Sequence, residues 1–434
     1  MGRRGLGGRQ ARGRVFHGWY VVGVAFLANL LSTGTTFYVF NAFLLPLCQA
    51  RGWSRAQINA APMLGFILGL LAQYLYGSLF LRLGPRLLMV AGSLVSSIAF
   101  IFLGRVTDLT AFYALYTLLY LGNGAMSGLV ANTVVTNWFS RHRGRALGLA
   151  TAGMSVSGVV LPMLAMAILN RFDLETAFLC IGLLVALLAP LAWRVVRISP
   201  ESCGLTPDGL PPPVDPAASF RSDEDEARGD MEWTTRRTLA SSTFWKLGTV
   251  FSLAMMGAVG VTYQLAPRFQ DLGYDTGDAL LMTAATAALA TAGKFLWGLF
   301  CDLAPPRKVL AVLLAAKAVG LGLGLYPGSQ VTLWLFILVF GFAMGGVLAT
   351  FPILAAHFFG RAGFSRVYRL LVFFLAFQGL GYFIMGLSFS RTGSYDAAFV
   401  CFIALDLIAC LLALRLPEMD VPSRKTGGVH HHPF

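Results

Sequence analysis

The residue with the clearest chemical meaning is a lysine set in apolar sequence. Lys294 stands in the run 277–302, among Ala, Thr, Gly, Phe, Leu and Trp. An ionisable side chain placed in lipid costs a few kcal/mol, so it marks a functional position unless a structural partner explains it. The functional reading is contact with a solute; the competing reading gives it a backbone carbonyl or an unrecognised acid as structural partner. Gln73, Ser157 and Gln378 also lie in apolar runs and could hydrogen-bond a solute. Asn29, Asn41, Asn123, Asn132 and Gln264 suit the commoner role of binding helices to one another. Lys317 and Asp406 are left to pair or to snorkel. Tyr38, Tyr263 and Phe351 are candidates for an apolar wall, against the usual fate of core packing. There is no HExxH and no phosphate loop in a strand–helix setting, which argues against an enzyme. No cofactor or metal is expected. Cys48, Cys180, Cys203, Cys301, Cys401 and Cys410 form no CxxC pair and read as small hydrophobes. His430, His431 and His432 read as a tail.

The elements that would position these residues follow from composition. The chain has 434 residues, 56% hydrophobic and 12% charged, against a charged share of roughly 25% in soluble domains. So few charges cannot cover a soluble globule of this size, and the lipid bilayer must be much of its solvent. Twelve runs approach the roughly 20 apolar residues a spanning helix needs. They lie near 17–43, 56–80, 86–104, 109–136, 144–169, 174–194, 243–267, 277–302, 307–326, 331–357, 366–389 and 396–416. Lys294 is eight residues before Asp302, about 12 Å along a helix and close to the midplane of a core about 30 Å thick.

Domain organisation follows: a basic tail over 1–16, a six-helix bundle over 17–194, a linker over 195–240, a second bundle over 241–416 and a tail over 417–434. The linker carries Pro211, Pro212, Pro213 and Pro216, then Asp223, Glu224, Asp225 and Glu226, a composition that favours solvation over burial. The net charge of +13 lies between apolar runs, which excludes a nucleic-acid face. Alternate loops hold Arg82 and Arg86; Arg141, Arg143 and Arg145; Arg307 and Lys308; Arg361, Arg366 and Arg369. Basic short loops mark the cytoplasmic side, so both termini and the linker are expected there, in a plasma-membrane protein.

The two halves repeat. Pro46, Gln49, Gly52 and Trp53 meet Pro267, Gln270, Gly273 and Tyr274 at an offset of 221, as do Gly77 with Gly298 and Gly84 with Pro305. Trp138, Phe139 and Arg141 meet Phe358, Phe359 and Arg361 at 220. The offset maps Lys294 onto Gln73 and Gln378 onto Ser157. Parallel repeats of six helices place a substrate near midplane between the halves. The expected fold is an all-α membrane protein of twelve transmembrane helices in two such pseudo-repeats.

The segment Gly298-Leu-Phe-Cys-Asp302, followed by Arg307 and Lys308, resembles the loop signature of the major facilitator superfamily. The first-half copy, Gly77 to Arg86, has Leu81 where the signature has Asp. Trp138-Phe139-Ser140-Arg141, Gly144-Arg145-Ala146 and Gly148, Gly153 and Gly158 resemble the monocarboxylate and oxalate/formate porter group. His17-Gly18-Trp19, Pro200-Glu201 with Gly204 to Gly209, and Thr392-Gly393-Ser394-Tyr395 add to that likeness.

The resemblance implies alternating access, with Lys294 at the place of the group's carboxylate-binding basic residue on helix eight. Asp302, Arg86, Arg141, Arg145 and Arg307 would form the gate. Oxalate carriers of the group have a second basic residue near Gln378, and its absence here favours a single carboxylate over a dianion. Proton-linked members have an acid where this chain has Ala290, and a helix-one Lys that has no match between Leu27 and Phe43. The expected cargo is a small organic anion, a monocarboxylate, with a co-transported ion left open. The alternatives are a neutral or zwitterionic solute, or a transporter-like receptor or scaffold without flux.

Overall fold

A computed structural model describes residues 16–209, 233–326 and 328–417. The N-terminal arginines, the linker's proline and acid runs and the histidine tract lie outside these. The described residues are helical, with no strand among them. Eleven apolar runs are long enough to cross a membrane, and Gly84, at φ 76°, breaks the longest, Ala60–Leu103, in two. The residue after that break is Pro85, whose fixed φ suits a helix start and whose missing N–H costs nothing there.

The twelve spans are α1 (17–51), α2 (55–83), α3 (85–103), α4 (109–138), α5 (Arg143–Leu169), α6 (Leu174–Val195), α7 (Ser242–Asp271), α8 (Thr276–Leu303), α9 (Pro306–Leu325), α10 (330–359), α11 (361–392) and α12 (Asp396–Leu414). Each span has one end on the side of the segment that joins α6 to α7, here termed the linker end, and its other end at the far end. At the far end the internal repeat is visible as turn chemistry. Gly52 and Gly273 both take the left-handed conformation, at φ 70° and 92°. Two residues later Ser54 and Asp275 cap α2 and α8, accepting from the Gln57 and Asp278 amides. Asp108 and Ser329 cap α4 and α10 in the same way. An N-cap oxygen satisfies an amide that the helix itself cannot, so these four far-end turns are each fixed by their own side chain.

Three spans depart from regular α-helix. α1 passes through a π segment at Gly34–Tyr38, where Thr35 and Thr36 donate to the Leu31 and Ser32 carbonyls at 2.8 and 2.7 Å. α4 breaks at Ser127 and Gly128. Asn29 repairs that break: its Oδ1 accepts from the Gly128 amide at 3.2 Å while its Nδ2 donates to the Ala150 carbonyl at 2.9 Å. Asn29 therefore joins α1, α4 and α5, the helix-binding role expected of a buried amide. α11 contains a 3₁₀ segment at Val372–Gln378.

One expectation changes here, and one open alternative is decided. The first stretch of the linker, expected to be solvated from 195, packs on the helices: Trp138 Nε1 and Asn137 Nδ2 donate to the Arg197 and Ile198 carbonyls, both at 3.0 Å. Composition signals solvation only from the proline run onward. Lys317 and Asp406 do not snorkel; they pair at 2.9 Å between α9 and α12, both fully buried. Lys317 also donates to the Ala254 carbonyl of α7. This pair belongs to the interior of the second half and contributes no wall to the central cavity.

The larger apolar cluster contains residues of both halves, including Val135, Trp138, Phe351 and Tyr368. A second cluster, around Phe336, Phe340, Phe399 and Phe402, belongs to the second half alone.

Candidate substrate cavity and gate

A cavity of about 660 Å³ lies between the halves. The first half contributes the π segment of α1 with Thr36, Phe37 and Tyr38, plus Gln73, Tyr120, Asn123 and Met154. The second contributes Met255, Thr262, Tyr263, Lys294, Met344 and Gln378. The 3₁₀ segment explains how α11 reaches it. At three residues per turn, positions three apart share one face, and Val372, Leu375 and Gln378 all line the cavity.

Lys294 lies nine residues from the linker end of α8, roughly 13 Å along the helix. Its side chain is 5% exposed, and Nζ donates to the Thr151 carbonyl of α5 at a long 3.4 Å. Among the described residues lining the cavity there is no Asp, Glu, His or Arg. A buried ammonium with one weak partner retains most of its desolvation penalty, several kcal/mol per ion. An entering carboxylate would relieve it. Two buried acceptors, Gln73 Oε1 and Asn123 Oδ1, also have no donor. Each can take a hydroxyl or amine hydrogen from a solute.

Of the expected site residues, the fold brings Lys294, Gln73, Gln378 and Tyr263 to this cavity. Ser157 stands apart: it is fully buried and donates to the Met154 carbonyl at 2.7 Å. The repeat maps it onto Gln378, but the 3₁₀ winding of α11 has no counterpart in α5, which is regular from Arg143 to Leu169. Asn123, Thr36 and Tyr120 were not singled out as ligands. Their only sequence signal is a polar or aromatic side chain in an apolar run.

At the linker end the halves are tied together. Asp302 of α8 accepts from the Gly144 and Arg145 amides of α5 at 2.6 and 2.9 Å, with Arg145 Nε 3.5 Å away. It caps, across the interface, a helix whose own N-cap residue His142 makes no side-chain cap bond. Glycines allow this approach. A Cβ on Gly298 would meet the Gly144 carbonyl, and one on Gly148 would lie 2.6 Å from the Lys294 carbonyl. Arg369 of α11 donates to Ser78 Oγ at 2.7 Å and lies over the Tyr74 ring. Arg361 donates to the Asn137 carbonyl at 2.6 Å. On the far-end side of the spans' midpoints, the aromatic side chains of Phe37, Tyr38, Tyr263 and Tyr382 are exposed, the first three to the cavity.

Two expected gate arginines make contacts within their own halves. Arg86 stacks on Trp193 at 3.8 Å, and Arg307 donates to the Leu416 carbonyl at 3.0 Å. Arg141 contributes its backbone, donating to Asp208 at 2.6 Å. A guanidinium near the membrane surface has many acceptors within reach, so position alone did not separate the crossing arginines from the local ones.

Twelve spans, a central cavity with a buried cation and a tie across one end define a polytopic membrane carrier. Residues 25–368 match the family model of the Major Facilitator Superfamily, and the chain belongs to that family. It is a multi-pass membrane transporter rather than an enzyme. The chain is similar to the oxalate:formate antiporter of Oxalobacter formigenes, 26% identical over 96% of each chain. It is also similar to monocarboxylate transporter 13 of Rattus norvegicus, 24% identical over 92% of this chain and 89% of that one. Among solved structures, the transporter FucP in its outward conformation superimposes with a TM-score of 0.68 at 16% identity, covering 92% of this chain and all (100%) of that one.

Proposed function

We propose that this chain is a secondary active transporter of a small organic anion, a monocarboxylate with an apolar body, moved by alternating access. The observation that carries this is Lys294, the single Lys, Arg, His, Asp or Glu among the described cavity residues, set in a wall of Met, Tyr, Phe and Leu. One ammonium balances one carboxylate. A dianion would bury a second charge against Gln378, an amide. The resemblance to monocarboxylate and oxalate/formate carriers supports the same class. Ala290, one turn before Lys294 on the cavity wall, offers no group to take a proton, so coupling through an acid beside the lysine has no support.

A second reading is a zwitterion, favoured by the unpartnered acceptors Gln73 Oε1 and Asn123 Oδ1, which suit an ammonium as well as a hydroxyl. Thermal stabilisation of the purified protein by a panel of monocarboxylates, dicarboxylates and amino acids separates the readings. Monocarboxylates alone should raise the melting temperature, and Lys294→Gln should abolish the shift while the protein still folds. Stabilisation of Lys294→Gln by the same ligands would overturn the assignment.

The proposal places the linker end in the cytoplasm of a plasma-membrane protein, because the arginine-rich loops lie there. A tag at Gly209 should be unreachable from outside intact cells; labelling from outside would reverse the orientation.

A further inference from the structure

We infer that Asp208 is a positioning residue of the transport cycle, holding the start of α5 in the shape that Asp302 must grip. The inference rests on the alternating-access reading. Asp208 lies in the turn Pro207–Gly209, and its Oδ2 accepts from the Ser140 and Arg141 amides at 2.9 and 2.6 Å. Its Oδ1 accepts from the His142 amide at 3.1 Å and lies 3.8 Å from His142 Nδ1. The carboxylate is 3% exposed. Asp208 is also the one non-glycine residue with positive φ among those described, at 59°. That conformation costs an ordinary residue free energy and persists where surrounding contacts impose it.

The two aspartates divide one helix start between them. Asp208 satisfies the amides of 140, 141 and 142; Asp302 satisfies those of 144 and 145. Both carboxylates sit at the positive end of the α5 dipole. They differ in attachment: Asp302 belongs to the opposite half and must leave when the linker end opens, whereas Asp208 follows α6 in the same half. When Asp302 withdraws, Asp208 keeps the loop from rearranging, so the vacated donors stay aimed for its return. A second contact joins the same segment to the other half, where Glu201 meets Arg361 at 3.2 Å.

The test uses the full chain in lipid nanodiscs, with native cysteines replaced and spin labels at Arg82→Cys and Lys308→Cys. Both positions are exposed at the linker end, one in each half. Asp208→Asn retains a residue type that tolerates positive φ but has one acceptor oxygen instead of two. It should shift the distance distribution toward longer separations and speed amide exchange at 140–142 about tenfold. Asp208→Gly, which also accommodates positive φ but removes both oxygens, should shift the distribution further than Asp208→Asn. If Asp302→Asn lengthens the distance and Asp208→Asn leaves it unchanged, Asp208 is a local turn residue and the inference fails while alternating access stands. If neither variant moves the distance, the gate reading fails and takes the inference with it.

Discussion

Two buried lysines in one chain show how environment assigns a role. Lys294 and Lys317 both lie in spans, and sequence marks both as costly. Lys317 has Asp406 at 2.9 Å and the Ala254 carbonyl, all inside the second half. Lys294 has one carbonyl at 3.4 Å and a cavity in front of it. Removing one partner of a buried pair costs about 3–5 kcal/mol because the other charge is left unpaired. Lys317→Ala should therefore lower folded yield and melting temperature sharply with or without ligand. The double variant Lys317→Met/Asp406→Leu should recover most of the loss, since replacing both charges by apolar groups is often neutral. A double variant no more stable than Lys317→Ala would show that the pair has a role beyond mutual neutralisation.

At the scale of elements, the spans were legible because lipid imposes one demand, length and apolarity, that sequence displays directly. Breaks within them were not. The residues 127–128 and 372–378 read as continuous helix, since a break repaired by a distant Asn29 leaves no local mark. The arginines 361, 366 and 369 read as a loop, yet α11 runs through them from the turn at Gly360, φ 70°. Long basic side chains reach the membrane surface from a continuing helix, so charge alone does not end one. The cavity's lysine was legible from its cost, and the cap joining the halves was legible only as a signature without a partner. The 3₁₀ segment gives a checkable signature of its own. Cysteines placed singly from 372 to 378 should react with a polar thiol reagent at 372, 375 and 378, a period of three. Reactivity at a period of 3.6 residues would mean that α11 is regular in the membrane.

For the whole molecule, the bonds between halves gathered at the linker end fix which face is closed, and Asp302 is central to them. Asp302→Asn should weaken this cap and raise the population open at the linker end. A ligand shifts such an equilibrium only through its differential affinity for the two states, so apparent affinity and exchange rate should change together. Spin-label distances across the linker end and ligand exchange in proteoliposomes report both. If neither changes, the contact plays no part in the cycle.

The far-end caps of α2 and α4 recur on α8 and α10, but the cap at the linker end does not recur. The repeat offset carries Asp302 onto Leu81, an exposed residue with nothing to offer a helix start. Two-fold symmetry would have supplied a matching carboxylate cap on α11; among the described residues Asp302 is the one such cap, and α11 is tied instead through Arg369 to Ser78 Oγ. Hydrogen bonds to a charged group contribute about 1.5–3 kcal/mol, roughly a tenfold to hundredfold preference for the closed face. A second lock would multiply that factor by itself and hold the face shut against all but the tightest ligands. With a single carboxylate cap, its share of the preference stays small enough for the binding of one modest solute to offset it, as repeated turnover requires.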